Sequence, residues 1–200
     1  RGFKGSLYEG GLRVPAIIEW PTGIDKPRTT KFPSCTMDIF PTIAQVVGLP
    51  DSVMLQPQDG ISLKGLLTQE LGEREKPIPF SCFGNTALLD NNYKLLQIGK
   101  RRDNGPKSFE LYNLADDPRE TTNLMQKNPA VAKRMQAAMK AWKQSMQASF
   151  AGKDYPEGKV NAGEPEPRFW TTVKAYEPYF KAWQERPEYR SRLKPKRRVK

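Results

Sequence analysis

Near its start the chain reads Lys4-Gly5-Ser6-Leu7-Tyr8-Glu9-Gly10-Gly11-Leu12-Arg13-Val14-Pro15, and the apolar run Ala16–Trp20 follows directly. Closely spaced glycines allow backbone conformations that other residues avoid, and they let the chain approach a small group closely. The segment therefore predicts a tight loop that presents the Lys4 ammonium to an anion, ahead of a short buried strand at Ala16–Trp20. The alternative is an ordinary turn before a strand, with a solvated lysine.

A helix is predicted next, from about Asp38 to Val47. Asp38 can cap it, and Pro41 falls in the first turn, where its missing N–H costs little. Gly48 ends the helix. One face of this helix is apolar and consists of Ile39, Phe40, Ile43, Val46 and Val47.

The chain beyond Pro77 alternates between apolar runs and turn residues, which predicts four strands. The predicted strands are Ile78–Phe83, Ala87–Leu89, Tyr93–Ile98 and Phe109–Leu114. Asp90–Asn92 is a hairpin turn, because Asn and Asp tolerate positive φ.

A long helix is predicted after Asn128, its expected cap, with Pro129 first and Gly152 at the end. Its apolar positions step by 4, 4, 3, 4 and 4 residues, which places them on one helix face. They are Val131, Met135, Met139, Trp142, Met146 and Phe150. A Met and Trp stripe of this kind is typical of a core, so we expect the helix to cover the sheet.

The predicted fold class is thus α/β, with the closing strand and helix of a larger α/β domain followed by a small antiparallel sheet under one long helix. The predicted domains are 1–76, the end of the α/β domain; 77–152, a small α+β subdomain; and 153–200, a tail. The tail is Pro-rich, basic and aromatic, and its aromatic side chains are expected to pack onto the protein body.

Composition excludes several kinds of site. The chain has no histidine, which removes His-based acid–base catalysis and His metal ligands. Its two cysteines cannot form a zinc site alone. They are expected to be unpaired, buried thiols, and one disulfide between them is the alternative. No apolar run approaches the ~20 residues of a membrane span. The net charge is +11, and Arg186–Lys200 contributes +7 of it through eight basic residues and one acidic residue.

The Lys4–Pro15 stretch resembles the Lys-Gly-x-x-Tyr-Glu-Gly-Gly-x-Arg-x-Pro segment of the type I sulfatases, which belong to the alkaline phosphatase superfamily. Three further motifs match that family in the expected order: Asp38–Thr42 (DIFPT), Asp59–Leu63 (DGISL) and Glu110–Leu124 (ELYNLADDPRETTNL). The resemblance spans residues 2 to 150 and implies that the larger α/β domain is alkaline-phosphatase-like.

The resemblance also implies roles for particular residues. Lys4 would be the catalytic and substrate-binding cation, contacting the sulfate and stabilising the leaving group. Tyr8, Glu9 and Arg13 would support the loop, and a local Glu9–Arg13 ion pair would orient it. No metal ligand is assigned in this chain, since the residues that hold calcium in the family lie upstream of the Lys-Gly motif.

The family's nucleophile is a formylglycine made from Cys or Ser in a Cys/Ser-x-Pro-x-Arg motif. Neither Cys35 nor Cys82 lies in such a motif. The chain is therefore expected to be the C-terminal segment of a sulfatase, inactive alone, with calcium required by the full-length enzyme. The implied partners are a sulfate-ester substrate, with a sulfated polysaccharide as one form of it, and the missing N-terminal part of the same enzyme.

Other functions stay open on the residues alone. A lysine that binds sulfate also binds phosphate, so a phosphate-ester or phosphonate hydrolase is a related alternative. The basic tail suits a non-catalytic module that binds a polyanion such as a sulfated glycan. A nucleic-acid binder is disfavoured, because no recognised fold motif for it is present. Periplasmic or secreted localisation is implied only by the family resemblance.

Overall fold

The computed structural model describes residues 1–99, 107–156, 158 and 169–193, with the backbone alone at Ser191. Contacts divide the chain into two compact units, Arg1–Lys159 and Val160–Lys200. The domain boundaries expected at residues 76 and 152 stay predictions. None of the described helices is long and apolar enough to cross a membrane.

Helices and strands alternate with irregular segments in the first unit, and short helices dominate the described part of the second, residues 169–193. They are α1 (Glu9–Leu12), α2 (Ile39–Val46), β1 (Ile78–Cys82), β2 (Asn85–Asp90), β3 (Tyr93–Ile98), β4 (Ser108–Asn113), α3 (Pro129–Phe150), α4 (Phe180–Gln184) and α5 (Pro187–Leu193). Single 3-10 turns lie at Thr36–Asp38, Asp51–Val53, Gly65–Leu67, Trp170–Thr172 and Lys174–Tyr179.

The four strands form one antiparallel sheet in the order β1-β2-β3-β4, which confirms the predicted sheet. β2 and β3 are joined by a tight turn in which Asn91 has a φ of 51°, as the Asp-Asn-Asn sequence predicts. In the register, Leu88 lies opposite Leu95, and Leu95 opposite Leu111. Side chains alternate between the two faces of a strand, so these three leucines share one face.

Helix α3 covers that leucine face, as predicted. The core between them consists of Leu88, Leu95, Leu111, Ala132, Met135 and Met139. The predicted stripe leaves the sheet toward the helix end, where Trp142 is half-buried and Phe150 is 74% exposed. Gly152 follows the helix with a φ of 78°, the left-handed conformation expected of a helix-ending glycine.

The opposite face of the sheet is covered by the N-terminal loop, which the sequence did not predict. Leu7 is buried there against Ala87, Leu96 and Tyr112. The sheet is therefore a middle layer between α3 and the loop that carries Lys4, and its two faces are both used.

Two expectations about the segment before the sheet need correction. The strand predicted at Ala16–Trp20 is not formed, and Ile17 is 94% exposed. A strand needs a neighbour for its backbone groups, and β1–β4 pair only with one another among the described residues. α2 has nearly the predicted bounds, but its apolar face is largely exposed, at Ile39, Phe40, Ile43 and Val47.

Asp38 is also not the helix cap that the sequence suggested, since its side chain makes no cap hydrogen bond to α2. Its carboxylate instead accepts from the backbone N–H of Cys35, which begins the preceding 3-10 turn. The physical reason is a stronger partner: the buried guanidinium of Arg74 donates to both oxygens of the Asp38 carboxylate.

The second unit is described by itself. Its aromatic rings gather around Trp183, whose ring centroid lies 5.5 Å from that of Trp170 and 5.7 Å from those of Tyr179 and Tyr189. The predicted packing of these aromatic side chains onto the body stays a prediction. The basic end of the tail, 194–200, lies outside the described residues.

Candidate functional site

The Lys4 loop, residues 1–13, carries the predicted catalytic cation. Lys4 and Gly5 form a turn closed by a 2.9 Å hydrogen bond from the Ser6 N–H to the Phe3 carbonyl, with a φ of 84° at Gly5. The Lys4 side chain is exposed and makes no hydrogen bond or ion pair within the described part of the chain. Its ammonium is therefore available to an anion.

The paired glycines of the motif are needed because the loop folds back onto itself. The Gly10 N–H donates to the Arg1 carbonyl at 2.8 Å. A Cβ on Gly10 would lie 2.3 Å from the Gly2 carbonyl oxygen, and one on Gly11 would lie 2.1 Å from that of Ser6. Both distances are far inside van der Waals contact, so only glycine fits at either position.

A second set of contacts ties the loop to strand β4 through Glu110. The Tyr8 hydroxyl donates to Glu110 Oε2 at 2.7 Å, and the Tyr112 hydroxyl donates to the same oxygen at 2.8 Å. Arg1 lies over the Tyr8 ring, 4.1 Å from its centroid, and donates to the Tyr112 hydroxyl at 3.2 Å.

These two phenols stay protonated at neutral pH and act as hydrogen-bond donors. Burial, and then the hydrogen bond to Glu110, raise the pKa of Tyr112 to about 12 and that of Tyr8 still higher. Neither phenol is poised to take up or release a proton in catalysis. Tyr8 consequently ties the loop to β4 through Glu110, and the support role expected of it stays a prediction.

A third set of contacts is a buried charge cluster beneath the loop. Lys94 Nζ, on strand β3, lies 2.9 Å from Glu9 Oε1 and 2.8 Å from Glu120 Oε1. Glu120 Oε2 accepts the Glu9 backbone N–H at 2.8 Å. Glu9 is thus held by its backbone and its side chain, and the support role expected of it has a physical basis.

Arg13 does not behave as expected. It is exposed, and the predicted Glu9–Arg13 ion pair is absent among the described residues. Glu9 pairs with Lys94 instead, because a fully buried ammonium needs a carboxylate more than a solvated guanidinium does.

Sequence reasoning missed Lys94, Glu110 and Glu120 as partners of the loop. Glu110 and Glu120 lie inside the Glu110–Leu124 motif, so the motif itself held a signal. Lys94 lies on the same face of β3 as Leu96 and Ile98, so it is a charge within an apolar stripe of that strand, and a buried charge requires partners.

A separate polar centre joins α2 to the sheet. Asp38 and Arg74 form a fully buried pair with two hydrogen bonds, of 2.8 and 2.9 Å. Asp38 also accepts the Ile61 backbone N–H at 2.9 Å. Burial alone would raise the pKa of Asp38, but the hydrogen bonds from Arg74, Ile61 and Cys35 outweigh it and lower that pKa.

Neither cysteine offers an activated thiolate. Cys35 and Cys82 are free, as expected. Burial, and then the Asp38 carboxylate, raise the pKa of Cys35. Within the described ranges, no group of three or more Cys, Asp or Glu side chains is placed to hold a metal ion. The described residues therefore do not provide the ligands of the calcium site that the family resemblance implies.

Comparison with known proteins identifies the family to which the chain belongs. The family "N-sulphoglucosamine sulphohydrolase, C-terminal" matches residues 3–148, most of the chain. The chain belongs to the sulfatase family. The match includes residues 3–13 of the Lys4 loop, the sheet, and the loop's partners Glu110 and Glu120.

Relatives agree with this assignment. The chain is 34% identical over 163 residues to a sulfatase of Formosa agariphila, covering 70% of this chain and 28% of that protein. It is 25% identical over 152 residues to the N-acetylgalactosamine-6-O-sulfatase of Bacteroides thetaiotaomicron, covering 72% of this chain and 30% of that protein.

A solved structure from Bacteroides thetaiotaomicron, described under the metabolism of multiple glycosaminoglycans, matches with a TM-score of 0.61 and 25% identity. It covers 72% of this chain and 32% of that chain. This sulfatase segment thus spans less than a third of the sulfatases that it matches, and it shares their C-terminal fold of an antiparallel sheet and a long helix.

Proposed function

We propose that the chain is the C-terminal segment of an enzyme that hydrolyses sulfate esters, and that Lys4 is its contribution to the active site. The carrying observation is an exposed ammonium, unpartnered among the described residues, on a loop that is tied to the sheet. Glu110 accepts from the Tyr8 hydroxyl, Lys94 pairs with the Glu9 carboxylate, and Glu120 accepts from the Glu9 backbone N–H. A rigid support with one free cation is what preorganised charge stabilisation requires.

The chemistry of the reaction explains the need for that cation. Hydrolysis of a sulfate ester moves negative charge onto the leaving oxygen as the S–O bond breaks. A fixed ammonium near that oxygen interacts more strongly with the transition state than with the ground state, and this difference accelerates the step. Lysine suits the task as a compact point charge with three donors.

The nucleophile and the metal belong to the rest of the enzyme in this proposal. Calcium would bind the sulfate group there. The exposed apolar face of α2 supports a partner of this kind, because side chains such as Phe40 and Ile43 gain about 25 cal/mol per Å² of surface when covered. The N-terminal part of the same enzyme is the proposed partner.

Sulfated glycans are the proposed substrate class. Two of the similar proteins support it: one is named an N-acetylgalactosamine-6-O-sulfatase, and the other is described under glycosaminoglycan metabolism.

Steady-state kinetics of Lys4 variants in the full-length enzyme test the proposal. Lys4→Ala should lower kcat by about 10²–10³, the usual cost of losing one preorganised contact, and change KM less. Lys4→Arg should rescue poorly, because a planar guanidinium does not occupy the place of a compact ammonium. Lys140→Ala, an exposed lysine on α3, is the matched control.

The readings that oppose the proposal are clear. Unchanged turnover in a folded Lys4→Ala enzyme would make Lys4 a solvated turn residue. Faster hydrolysis of an aryl phosphate or phosphonate than of the matching aryl sulfate would favour the related hydrolase.

Binding of sulfated polysaccharide by the tail is a second candidate function, favoured by the charge of Arg186–Lys200. Replacing its eight basic residues by Gln, at constant length, should lower the salt concentration that elutes the protein from heparin. The matched control replaces eight exposed basic residues outside the tail by Gln: Lys26, Lys31, Lys64, Arg119, Lys127, Lys133, Lys140 and Lys153. An unchanged elution position after the tail substitution would remove this candidate.

A further inference from the structure

Lys94 is the most unusual charged residue of the sheet. It lies in β3, one of the two inner strands, and its side chain is 1% exposed. Burying an ammonium is costly unless carboxylates compensate it, and here there are two, Glu9 and Glu120. The cluster lies on the face that the Lys4 loop covers, whereas the other face of the sheet is closed by an apolar core with α3.

Glu120 is shaped for this contact. It is fully buried, and its backbone has a φ of 56°, which is uncommon for a residue other than glycine. Its carboxylate contacts Lys94 with one oxygen and the Glu9 backbone N–H with the other. The strained backbone therefore aims a buried carboxylate at the loop.

A short and stiff piece of chain connects Glu9, which the cluster fixes in place, to Lys4. Glu9 begins α1, and the adjacent Gly10 N–H is bonded to the Arg1 carbonyl, which closes the loop around Lys4. Residues 2–9, which include Lys4, lie between Arg1 and Gly10, and Lys4 is five residues before Glu9. A shift at Glu9 consequently moves the base of the Lys4 side chain.

We propose that Lys94 and Glu120 are positioning residues, which set the place of the Lys4 ammonium against the leaving oxygen without touching the substrate. The inference rests on the proposed role of Lys4. In this inference the buried cluster positions Lys4, whereas the core between the sheet and α3, on the opposite face, stabilises the fold.

The experiment compares aryl sulfates whose leaving groups differ in pKa, using the full-length enzyme. Lys94→Met keeps an unbranched side chain, one atom shorter, and removes the charge, so Glu9 and Glu120 repel each other and the loop shifts. A displacement of about 1 Å costs on the order of 10² in rate. We expect kcat to fall by about 10–10², KM to change less, and the loss to grow with the leaving-group pKa, as in Lys4→Ala.

Two controls separate positioning from loss of stability. Arg74→Met breaks the other fully buried ion pair, which lies outside the Lys4 loop, and should lower the melting temperature without a dependence on the leaving group. The double variant Lys4→Ala/Lys94→Met should be no slower than Lys4→Ala, because a cation that is absent cannot be misplaced.

Glu120→Gln is the second variant and is used if Lys94→Met does not fold. It keeps an acceptor for the Glu9 N–H and removes one charge, and it should show the same dependence on the leaving group to a smaller degree.

The outcomes divide cleanly. A loss in Lys94→Met or Glu120→Gln that is equal for all leaving groups, or that adds to the loss in Lys4→Ala, overturns this inference while the role of Lys4 stands. Normal turnover in Lys4→Ala overturns the role of Lys4 and this inference with it.

Discussion

Individual residues of the Lys4 loop are fixed by contacts that the chain makes far along its sequence. Tyr8 depends on Glu110, and Glu9 depends on Lys94 and Glu120. Gly10 and Gly11 depend on carbonyl oxygens of the loop itself. The motif is therefore a set of residues that each meet a different steric or electrostatic condition, rather than a flexible glycine-rich turn.

Adding one methyl group at Gly10 tests the steric condition. Gly10→Ala places a Cβ 2.3 Å from a carbonyl oxygen and should cost about 1–3 kcal/mol, the usual range for overpacking. Gly72→Ala is the matched control, since nothing lies within 4 Å of its added Cβ. Thermal unfolding of both variants checks this, and equal melting temperatures would contradict the close approach.

The Asp38–Arg74 pair makes a prediction about pH. The pKa of Asp38 is lowered in the fold, so its ionised form stabilises the protein above the unfolded pKa of about 3.9, and that contribution is lost as the pH falls through the folded pKa. Asp38→Asn leaves a buried guanidinium without its partner, which costs roughly 3–5 kcal/mol at neutral pH.

Urea unfolding at pH 7 and at pH 3 measures the effect. The difference in free energy of unfolding between wild type and Asp38→Asn should be large at pH 7 and smaller at pH 3. Asp25→Asn, an exposed aspartate, is the control and should show little difference at either pH. A difference that grows in acid would reverse the assigned direction of the pKa shift.

At the scale of elements, α3 shows how far periodicity reaches. The stripe from Val131 to Phe150 correctly predicted the helix and its inward face. It overstated the contact, because a straight helix and a twisted sheet diverge, so Trp142 is only half-buried and donates to Asp59 at 3.4 Å.

The divergence gives an ordered series of substitutions along α3. Met139→Ala, at a buried position, should cost about 2–5 kcal/mol. Trp142→Ala should cost well below the ~3–5 kcal/mol of a fully buried aromatic residue. Gln144→Ala, on the exposed face, is the control. Urea midpoints at constant m-value give the three energies, and a larger loss at Trp142 than at Met139 would refute the packing described.

At the scale of the whole molecule, the four sequence motifs meet in pairs. Glu110 and Glu120 of the last motif hold Tyr8 and Glu9 of the first. Asp38 accepts from Ile61, and the Thr42 hydroxyl accepts from the Leu63 N–H, which joins the two middle motifs. The four motifs therefore form two contact regions, one between the first and last motifs and one between the two middle motifs.

The isolated 200-residue chain should have no sulfatase activity and should not bind calcium tightly. The physical reason is that neither cysteine is in a nucleophile motif and the described residues offer no acidic cluster. Turnover of an aryl sulfate and calcium titration calorimetry measure both properties, with the full-length enzyme as the positive control. Calcium-dependent turnover by this chain alone would contradict the proposal that it is one part of the enzyme.

The sequence by itself determined the sheet, the long helix, the hairpin turn at Asn91 and the sulfatase family. Each of these rests on local information: side-chain alternation, helical periodicity, a residue that tolerates positive φ, or a contiguous motif. Such signals are carried within a few residues and are legible without knowing what lies nearby in space.

Tertiary structure alone decided which charges pair. The local Glu9–Arg13 pair and the Asp38 cap were reasonable from spacing, but Lys94 and Arg74 outcompete both, because buried charges bind the partner that compensates them best. The strand at Ala16–Trp20 was likewise wrong, since a strand exists only where another backbone satisfies it. Long-range compensation of charge and of backbone hydrogen bonds is the information that no short window of sequence contains.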